Sequence, residues 1–501
     1  MERLALLKEL SFGQQVAENE TDALADYFVK TDLWNRIDKG DIDIIRGEKG
    51  TGKSAIYLLL EENRDNLFDR RIILVSAERP RGTTVFKDLI PDPPTTEQEF
   101  IVLWKIYLAV IIAHTLRGLG LGERNIDNVY SALEEAGLLE MELNLGGVLR
   151  TAQIFVRRLL GVTKLEAGVE LDQTTGAPIG IIGRLSLAEP TGELRSRGIT
   201  SIDGLFDTIN TALAANRYQI WVALDRLDNA FTENHTIEAN ALRALIRVYG
   251  DLRGFDNISL KIFLREDIWN RIMGAGLREA SHITRYETVN WTDNTLLNLL
   301  MRRILNNDVL LKEFGLNKEE ILDDLQKQKA LFARLFPEKV EQGPRKPITF
   351  RWMLSRCRDA SGRTAPRELV HLLNCLRNEE IRRLELGETA APGEQLFDRS
   401  VFKQALPEVS NARLNTYLYA EYSEQKEYIE KLKRQKAEQT PESLMQIWGV
   451  DRPKAVAKAA ELATLGFFEQ RGSQSTPTYW VPFLYRDALE LVQGQADADA
   501  E

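Results

Sequence analysis

The 501-residue chain carries 65 Lys and Arg against 75 Asp and Glu, a formal net charge of −10, with 44% hydrophobic and 28% charged residues. That balance suits a globular protein of about two to four domains. It excludes a general nucleic-acid coating protein but leaves room for a local basic site. Cys357, Cys375 and four scattered histidines show no metal-ligand spacing, so buried free thiols in a reducing compartment are expected.

Residues 1–36 read as helical, with Leu24, Tyr27, Phe28 and Leu33 as an approximate apolar stripe, and Met1-Glu2-Arg3 does not open a signal sequence. A cytoplasmic location is the expectation. A β-prone run (Ile42, Ile44, Ile45) then feeds Gly47-Glu48-Lys49-Gly50-Thr51-Gly52-Lys53-Ser54, and an apolar helix start from Ala55 to Leu60 follows. The eight residues fit the phosphate-loop pattern G-x-x-x-x-G-K-[ST] at every position. Gly47, Gly50 and Gly52 allow backbone angles and close approach that a Cβ would obstruct, so successive N–H groups through Ala55 can wrap phosphates. The helix starting near Lys53 adds its positive dipole end to the same anion. Lys53 is placed to reach the β/γ-phosphates and Ser54 to ligate Mg²⁺. A nucleoside triphosphate is therefore the expected ligand.

Ile72-Ile73-Leu74-Val75 reads as a second strand, and residues 88–98, with Pro91, Pro93 and Pro94, as a loop. The apolar run Ile101–Ala113 contains Lys105 and falls short of the ~18–20 residues of a membrane span. A buried helix is expected there, and no membrane association. Ala167 to Leu187 reads as a β-hairpin, with Val169/Leu171 and Ile179/Ile181 about a Thr174-Thr175-Gly176 turn.

A helix at 202–215 precedes Ile220-Trp221-Val222-Ala223-Leu224-Asp225, an apolar strand ending in a carboxylate placed to hold Mg²⁺. Asp228 has two readings, positioning the attacking water or capping the next helix. No Glu follows Asp225 directly, and Glu233 is a distant substitute for a general base. After a helix at 237–250 comes the strand Leu260–Leu264, ending at Arg265. That arginine either senses the γ-phosphate or pairs with Glu266 or Asp267 on a surface turn. Strands alternating with helices from a phosphate loop indicate a parallel α/β sheet with nucleotide at its C-terminal edge.

Residues 293–390 read as helical. Phe350, Met353, Leu354 and Cys357 share one face opposite Arg351, Ser355 and Arg358, and Pro366 opens a further helix. The stretch 345–367 holds seven basic residues (Arg345, Lys346, Arg351, Arg356, Arg358, Arg363, Arg367) against Asp359. It can serve nucleotide phosphates, contact DNA, or be a solvated face. A charged helix is expected at 422–438, then helices at 441–448 and 452–464, and a ribbon of 467–470 with 478–481. That is winged helix–turn–helix order, with Arg452, Lys454 and Lys458 on the recognition helix. DNA binding through 441–482 and protein binding or packing remain equal readings.

The runs GEKGTGKSAIY, LDRLD and FLREDIW resemble FunZ-type prokaryotic P-loop ATPases, related to the STAND and origin-recognition branches of the AAA+ ATPases. The resemblance spans most of the chain outside residues 96–200. It implies an α/β P-loop NTPase with a helical lid and a C-terminal winged helix, with ATP and Mg²⁺ as cofactors. It also implies that Arg265 is a first sensor and that Arg367, in Ala365-Pro366-Arg367-Glu368, is a second sensor on the lid. The expected segments are 1–36 helical, 37–95 and 201–292 the two halves of the ATPase core, 96–200 an insertion, 293–405 the lid and 406–501 the winged helix. The missing acid beside Asp225 favours a slow nucleotide-dependent switch acting with a protein partner or as a homo-oligomer, a group often tied to antiphage defence. The alternatives are an ATP-regulated DNA loader and a non-hydrolysing ATP-bound scaffold.

Overall fold

The computed structural model describes residues 2–20, 23–78, 94, 96–121, 124–139, 142–165, 181–227, 235–274, 283–473 and 476–495. They form two compact units, one of Asp32–Glu48 with Lys53–Val289, the other of Met1–Thr31, Lys49–Gly52 and Asn290–Glu501.

The first unit is built on five strands, β1 (Ile44–Gly47), β2 (Ile72–Ser76), β3 (Gln219–Leu224), β4 (Ile258–Arg265) and β5 (Tyr286–Thr288). Their order across the sheet is β2-β3-β4-β1-β5, and every pairing is parallel. Strands covered on both faces need near-continuous apolar runs, and β3 is buried from Ile220 to Leu224. The chain leaves β1 for the far edge, returns through β3 and β4, then crosses to β5. Right-handed crossovers therefore put α1 (Lys53–Glu62) on one face of the sheet. α2 (Glu97–Gly118), α3 (Ile202–Ala215), α4 (His235–Leu252) and α5 (Glu266–Gly274) lie on the other. The reversal at β1 makes its C-terminal end the topological switch point, the place where α/β sheets bind ligands.

A Thr96/Glu99 capping box starts α2, and the helix runs 22 residues, beyond the apolar run legible in the sequence. By length and composition it could cross a bilayer. Its apolar residues from Phe100 to Leu116 are instead buried in the unit's core, and Lys105 is held 2.7 Å from both Asp203 and Asp251. Most of the expected 167–187 hairpin lies outside the described residues. Within them, Ile181–Ile182 pairs antiparallel with Leu185–Ser186, which runs parallel to Thr200–Ser201.

The second unit contains α6 (Asp293–Leu305), α7 (Thr349–Arg356), α8 (Pro366–Glu385) and α9 (Val401–Arg413), the last continuing as a π-helix over Leu414–Tyr419. On α7, Met353 and Leu354 are buried as the periodicity predicts, but Trp352 is buried too, which widens the apolar face. The expected charged helix at 422–438 is not continuous. It breaks into a 3-10 turn (Ser423–Gln425), a short helix (Lys426–Glu430) and the strand β6 (Lys436–Gln439). Then come α10 (Pro441–Trp448), α11 (Arg452–Thr464), β7 (Glu469–Gly472) and β8 (Pro477–Trp480), followed by α12 (Phe483–Arg486) and β9 (Val492–Gln495). β8 lies antiparallel to both β7 and β6, and β9 adds parallel to β6. Strand, two helices and a hairpin returning to the first strand make a winged helix. The whole is an α/β P-loop NTPase with the sheet order of AAA+ ATPases, a helical lid and a C-terminal winged helix.

Lys261 on β4 is fully buried, with Nζ 2.9 Å from Asp43 Oδ1 and 2.8 Å from the Ile42 carbonyl. Tyr249 donates to the other Asp43 oxygen at 3.1 Å. Asp43→Ala strands a buried ammonium and should cost about 3–5 kcal/mol. The combined Asp43→Leu, Lys261→Met change should cost much less, and denaturant unfolding of the three proteins checks both.

Candidate nucleotide site

β1 delivers the chain into the phosphate loop, and α1 begins at Lys53. In the first unit, Lys53 Nζ folds back onto the Gly47 and Glu48 carbonyls at 2.8 and 3.0 Å. The ammonium is thus held against the loop's own backbone, and Ser54 occupies the helix's first turn. Gly50 and Gly52 have φ of +88° and +99°, angles that only glycine adopts without strain.

Asp225 directly follows β3 and is 4% exposed. With the Ser54 hydroxyl it offers hard oxygen ligands of the kind Mg²⁺ selects. The next residue, Arg226, sits at φ +59°, uncommon for any residue with a Cβ, and its Nη1 is buried with no hydrogen-bond partner among the described residues. Such an orphaned donor beside the Asp225 carboxylate has the chemistry to take an anion. Asp228 and Glu233 lie outside the described residues.

Arg265 ends β4 in register with Gly47 of β1. It is 7% exposed and makes a bidentate pair with Asp267, Nε to Oδ1 at 3.0 Å and Nη2 to Oδ2 at 2.8 Å. The pairing alternative is therefore present in the structure, with Arg265 buried and Asp267 half-buried in the first turn of α5.

In the second unit, the loop tip Lys49–Gly52 has its own contacts. Lys49 Nζ pairs with Glu421, and it lies 5.9 Å from the Tyr417 ring centroid. The Trp291 indole N–H donates to the Thr51 carbonyl at 2.9 Å. Arg367, second residue of α8, packs on the loop so closely that a Cβ at Gly50 would lie 3.1 Å from its own Cβ. Its Nε is buried with no hydrogen-bond partner among the described residues. Sequence pattern singled out Arg367 but missed Trp291, Glu421 and Arg226. Trp291 and Glu421 belong to no local motif, and within the run Leu224–Asp228 the pattern marks only the two acids; Glu421 follows the π-helical extension of α9.

In the basic stretch 345–367, Arg345, Lys346, Arg351, Arg358 and Arg363 are exposed, while Arg356 and Arg367 are half-buried. Arg351 pairs with Asp293 at 2.6 Å, Lys346 with Glu341 at 2.5 Å, and Arg356 stacks 3.7 Å from the Phe483 ring centroid. On α11, Arg452 pairs with Glu442 and Lys458 with Glu461. The expectation of no metal-ligand cluster is corrected. His371 and Cys375 on α8 and Glu408 on α9 bring donor atoms within 4.8 Å of one another. Helix crossing makes that grouping, which chain spacing hides. It supplies three donors, short of the four of a closed structural zinc site, and burial pushes the Cys375 thiol up to about 12.

No protein-family model matches the chain, and no curated protein matches it. Among solved structures it is similar to the Aeropyrum pernix ORC1 protein in complex with DNA. That similarity has 12% identity over 95% of this chain and 96% of that one, with a TM-score of 0.36. It is also similar to the Aeropyrum pernix ORC2 protein in its ADPNP-ADP complexes, at 11% identity over 94% and 92% of the two chains, with a TM-score of 0.38. The fold assignment rests on strand order and loop geometry.

A partly buried pair such as Lys49–Glu421 is worth on the order of 1 kcal/mol. Glu421→Gln releases Lys49 to the field of the bound phosphates, so ATP binding should tighten by about two- to fivefold. Fluorescent-nucleotide titration of wild type and variant reads the change.

Proposed function

We propose that the chain is a slow ATPase that works as a nucleotide-dependent switch, by itself or in a larger assembly. The observation that carries this reading is the G-x-x-x-x-G-K-[ST] loop Gly47–Ser54 at the end of β1, with Lys53 Nζ on the Gly47 carbonyl, in a parallel sheet whose strand β3 leads directly into the buried Asp225. The loop amides, the start of α1 and Lys53 bind the phosphates, and Ser54 and Asp225 hold Mg²⁺, which stabilises charge on the transferring phosphoryl group. Arg226 in place of an acid after Asp225 supports slow turnover.

Arg367 suits a second sensor because its guanidinium has an unsatisfied Nε beside Gly50. One residue on, Glu368 accepts from Arg413 Nη1 at 2.8 Å, and Arg413 also lies 3.5 Å from Asp359 and 3.9 Å from the Tyr417 ring centroid. Asp359 leads to Ala360, whose N–H bonds the Gly466 carbonyl of the winged helix at 2.9 Å. A change at Arg367 therefore has a continuous physical route to the winged helix. Membership of the FunZ-type or STAND groups and a role in antiphage defence rest on the sequence resemblance, and a cytoplasmic location on the reading of the sequence as free of a signal segment and a membrane span.

A second reading, ATP-regulated DNA binding, is favoured by one cluster. Arg356, Arg471 and Arg486 gather about Trp480 and Phe483, with Arg486 4.5 Å from the Trp480 ring centroid and its Nη2 buried without a partner among the described residues. Burial and the neighbouring Arg356 and Arg471 lower the Arg486 pKa to about 10. An anion would relieve that crowding. The two candidate DNA segments of the sequence meet here, since Arg356 comes from the basic stretch. Replacing Arg471 and Arg486 by Ala should flatten the salt dependence of DNA affinity by about two units of log–log slope. An unchanged slope removes this reading.

For the ATPase reading, Lys53→Ala should abolish tight ATP binding, and retained affinity would contradict the loop assignment. Asp225→Asn should keep binding while hydrolysis falls strongly. Arg367→Ala should weaken ATP more than ADP, by about 1.5–3 kcal/mol. Equal losses for the two nucleotides, below about 1 kcal/mol, would leave no sensor.

A further inference from the structure

The position after Asp225, where an acid is expected in a hydrolysing site, is arginine. The sheet supplies a carboxylate from the neighbouring strand. β2 and β3 run parallel with Ser76 opposite Ala223, and the ladder continues as the Ala77 N–H donates to the Ala223 carbonyl at 2.9 Å. Two residues beyond Ser76 is Glu78, and two beyond Ala223 is Asp225. The two acids therefore leave adjacent strands at one level, about 4.8 Å apart along the hydrogen-bonding direction.

Glu78 is 0% exposed, a rare state for glutamate. It lies on the side of the sheet that α1 covers. Tyr57, one turn beyond Ser54 on α1, donates its hydroxyl to the Glu78 carbonyl at 2.9 Å. The Tyr57 hydroxyl is pushed up by burial and further by the carboxylates of Glu61, Asp225 and Glu78, which border it together. The first turn of α1, Asp225 and Glu78 thus converge at the C-terminal edge of the sheet. A buried ionisable side chain at such an edge is a functional-site candidate.

We propose that Glu78 is the general base of ATP hydrolysis, acting from β2 in place of the acid missing after Asp225; this rests on the ATPase reading. Glu78 takes a proton from water as the water oxygen bonds to the γ-phosphorus. The bond from that phosphorus to the β–γ bridging oxygen breaks, and its electron pair leaves on ADP. The proton then passes from Glu78 to the phosphate product. Because the base comes from a different strand, no motif in the β3 sequence reveals it.

The test measures ATP affinity and single-turnover hydrolysis side by side in the full chain. Glu78→Gln should bind ATP within about threefold of wild type while hydrolysis falls by at least about 100-fold, the range of a lost general base. Glu78→Asp restores a carboxylate one methylene short and should recover part of that rate. Tyr57→Phe loses the hydrogen bond to the same residue's backbone but keeps the base, so its turnover should stay within a few fold of wild type. Wild-type turnover in a Glu78→Gln variant that binds ATP overturns the assignment. So do equal losses in all three variants together with lowered unfolding midpoints, which mark a structural role. A wild-type chain that binds ATP but never cleaves it overturns Glu78 as base and leaves nucleotide binding standing. A wild-type chain that binds no ATP removes both.

Discussion

Parallel hydrogen bonding of β1 to β4 on one side and β5 on the other is the constraint on which the site depends. It fixes Gly47 in register with Arg265 and brings the loop to the sheet's reversal point. The pairing in turn needs Asp43, whose carboxylate holds the buried Lys261 of β4 just before β1 begins. A buried ion pair contributes little net stability against an apolar replacement, yet removing one partner is costly. Its value here is register: it ties the entry of β1 to one position on β4.

Lys53 is the proposed phosphate cation of the loop. Its ammonium meets the carbonyls of Gly47 and Glu48, so the charge is positioned before any ligand arrives. Electrostatic stabilisation of this kind works because the groups need not reorganise during reaction. The loop tip is engaged in the second unit through Lys49 with Glu421, Thr51 with Trp291 and Gly50 with Arg367. In the proposed switch, nucleotide would compete with or complete those three contacts. A switch requires that kind of differential contact, because equal contact in both states shifts no equilibrium.

Much of this architecture was legible in the sequence because its signals are local. The helices expected at 441–448 and 452–464 are present as α10 and α11, because caps and first-turn prolines act within a few residues. The eight-residue loop carries its own backbone requirements. Where the sequence misled, the deciding interactions were distant in the chain. Residues 422–438 carry Lys426, Glu427, Glu430 and Lys431 at helical spacing, yet Lys436–Gln439 becomes strand because β8 and β9 pair with it. Strand preference depends on such partners more than on the segment itself. The His371–Cys375–Glu408 grouping and the placement of Glu78 beside Asp225 were hidden for the same reason, since each joins residues from different elements. Arg265 carried two readings from its sequence neighbours, and the structure shows it bonded to Asp267, one of the two acids named.

The central claim is that this loop binds a triphosphate and that the chain cleaves it slowly. Mixing wild-type protein in excess with γ-labelled ATP and Mg²⁺, then following bound nucleotide and released phosphate over time, tests it most directly. The account predicts about one ATP held per chain, converted to ADP with slow release of phosphate and dependent on Mg²⁺. No bound nucleotide at millimolar ATP would contradict the claim at its root. Bound ATP that stays intact would show a scaffold in place of an enzyme.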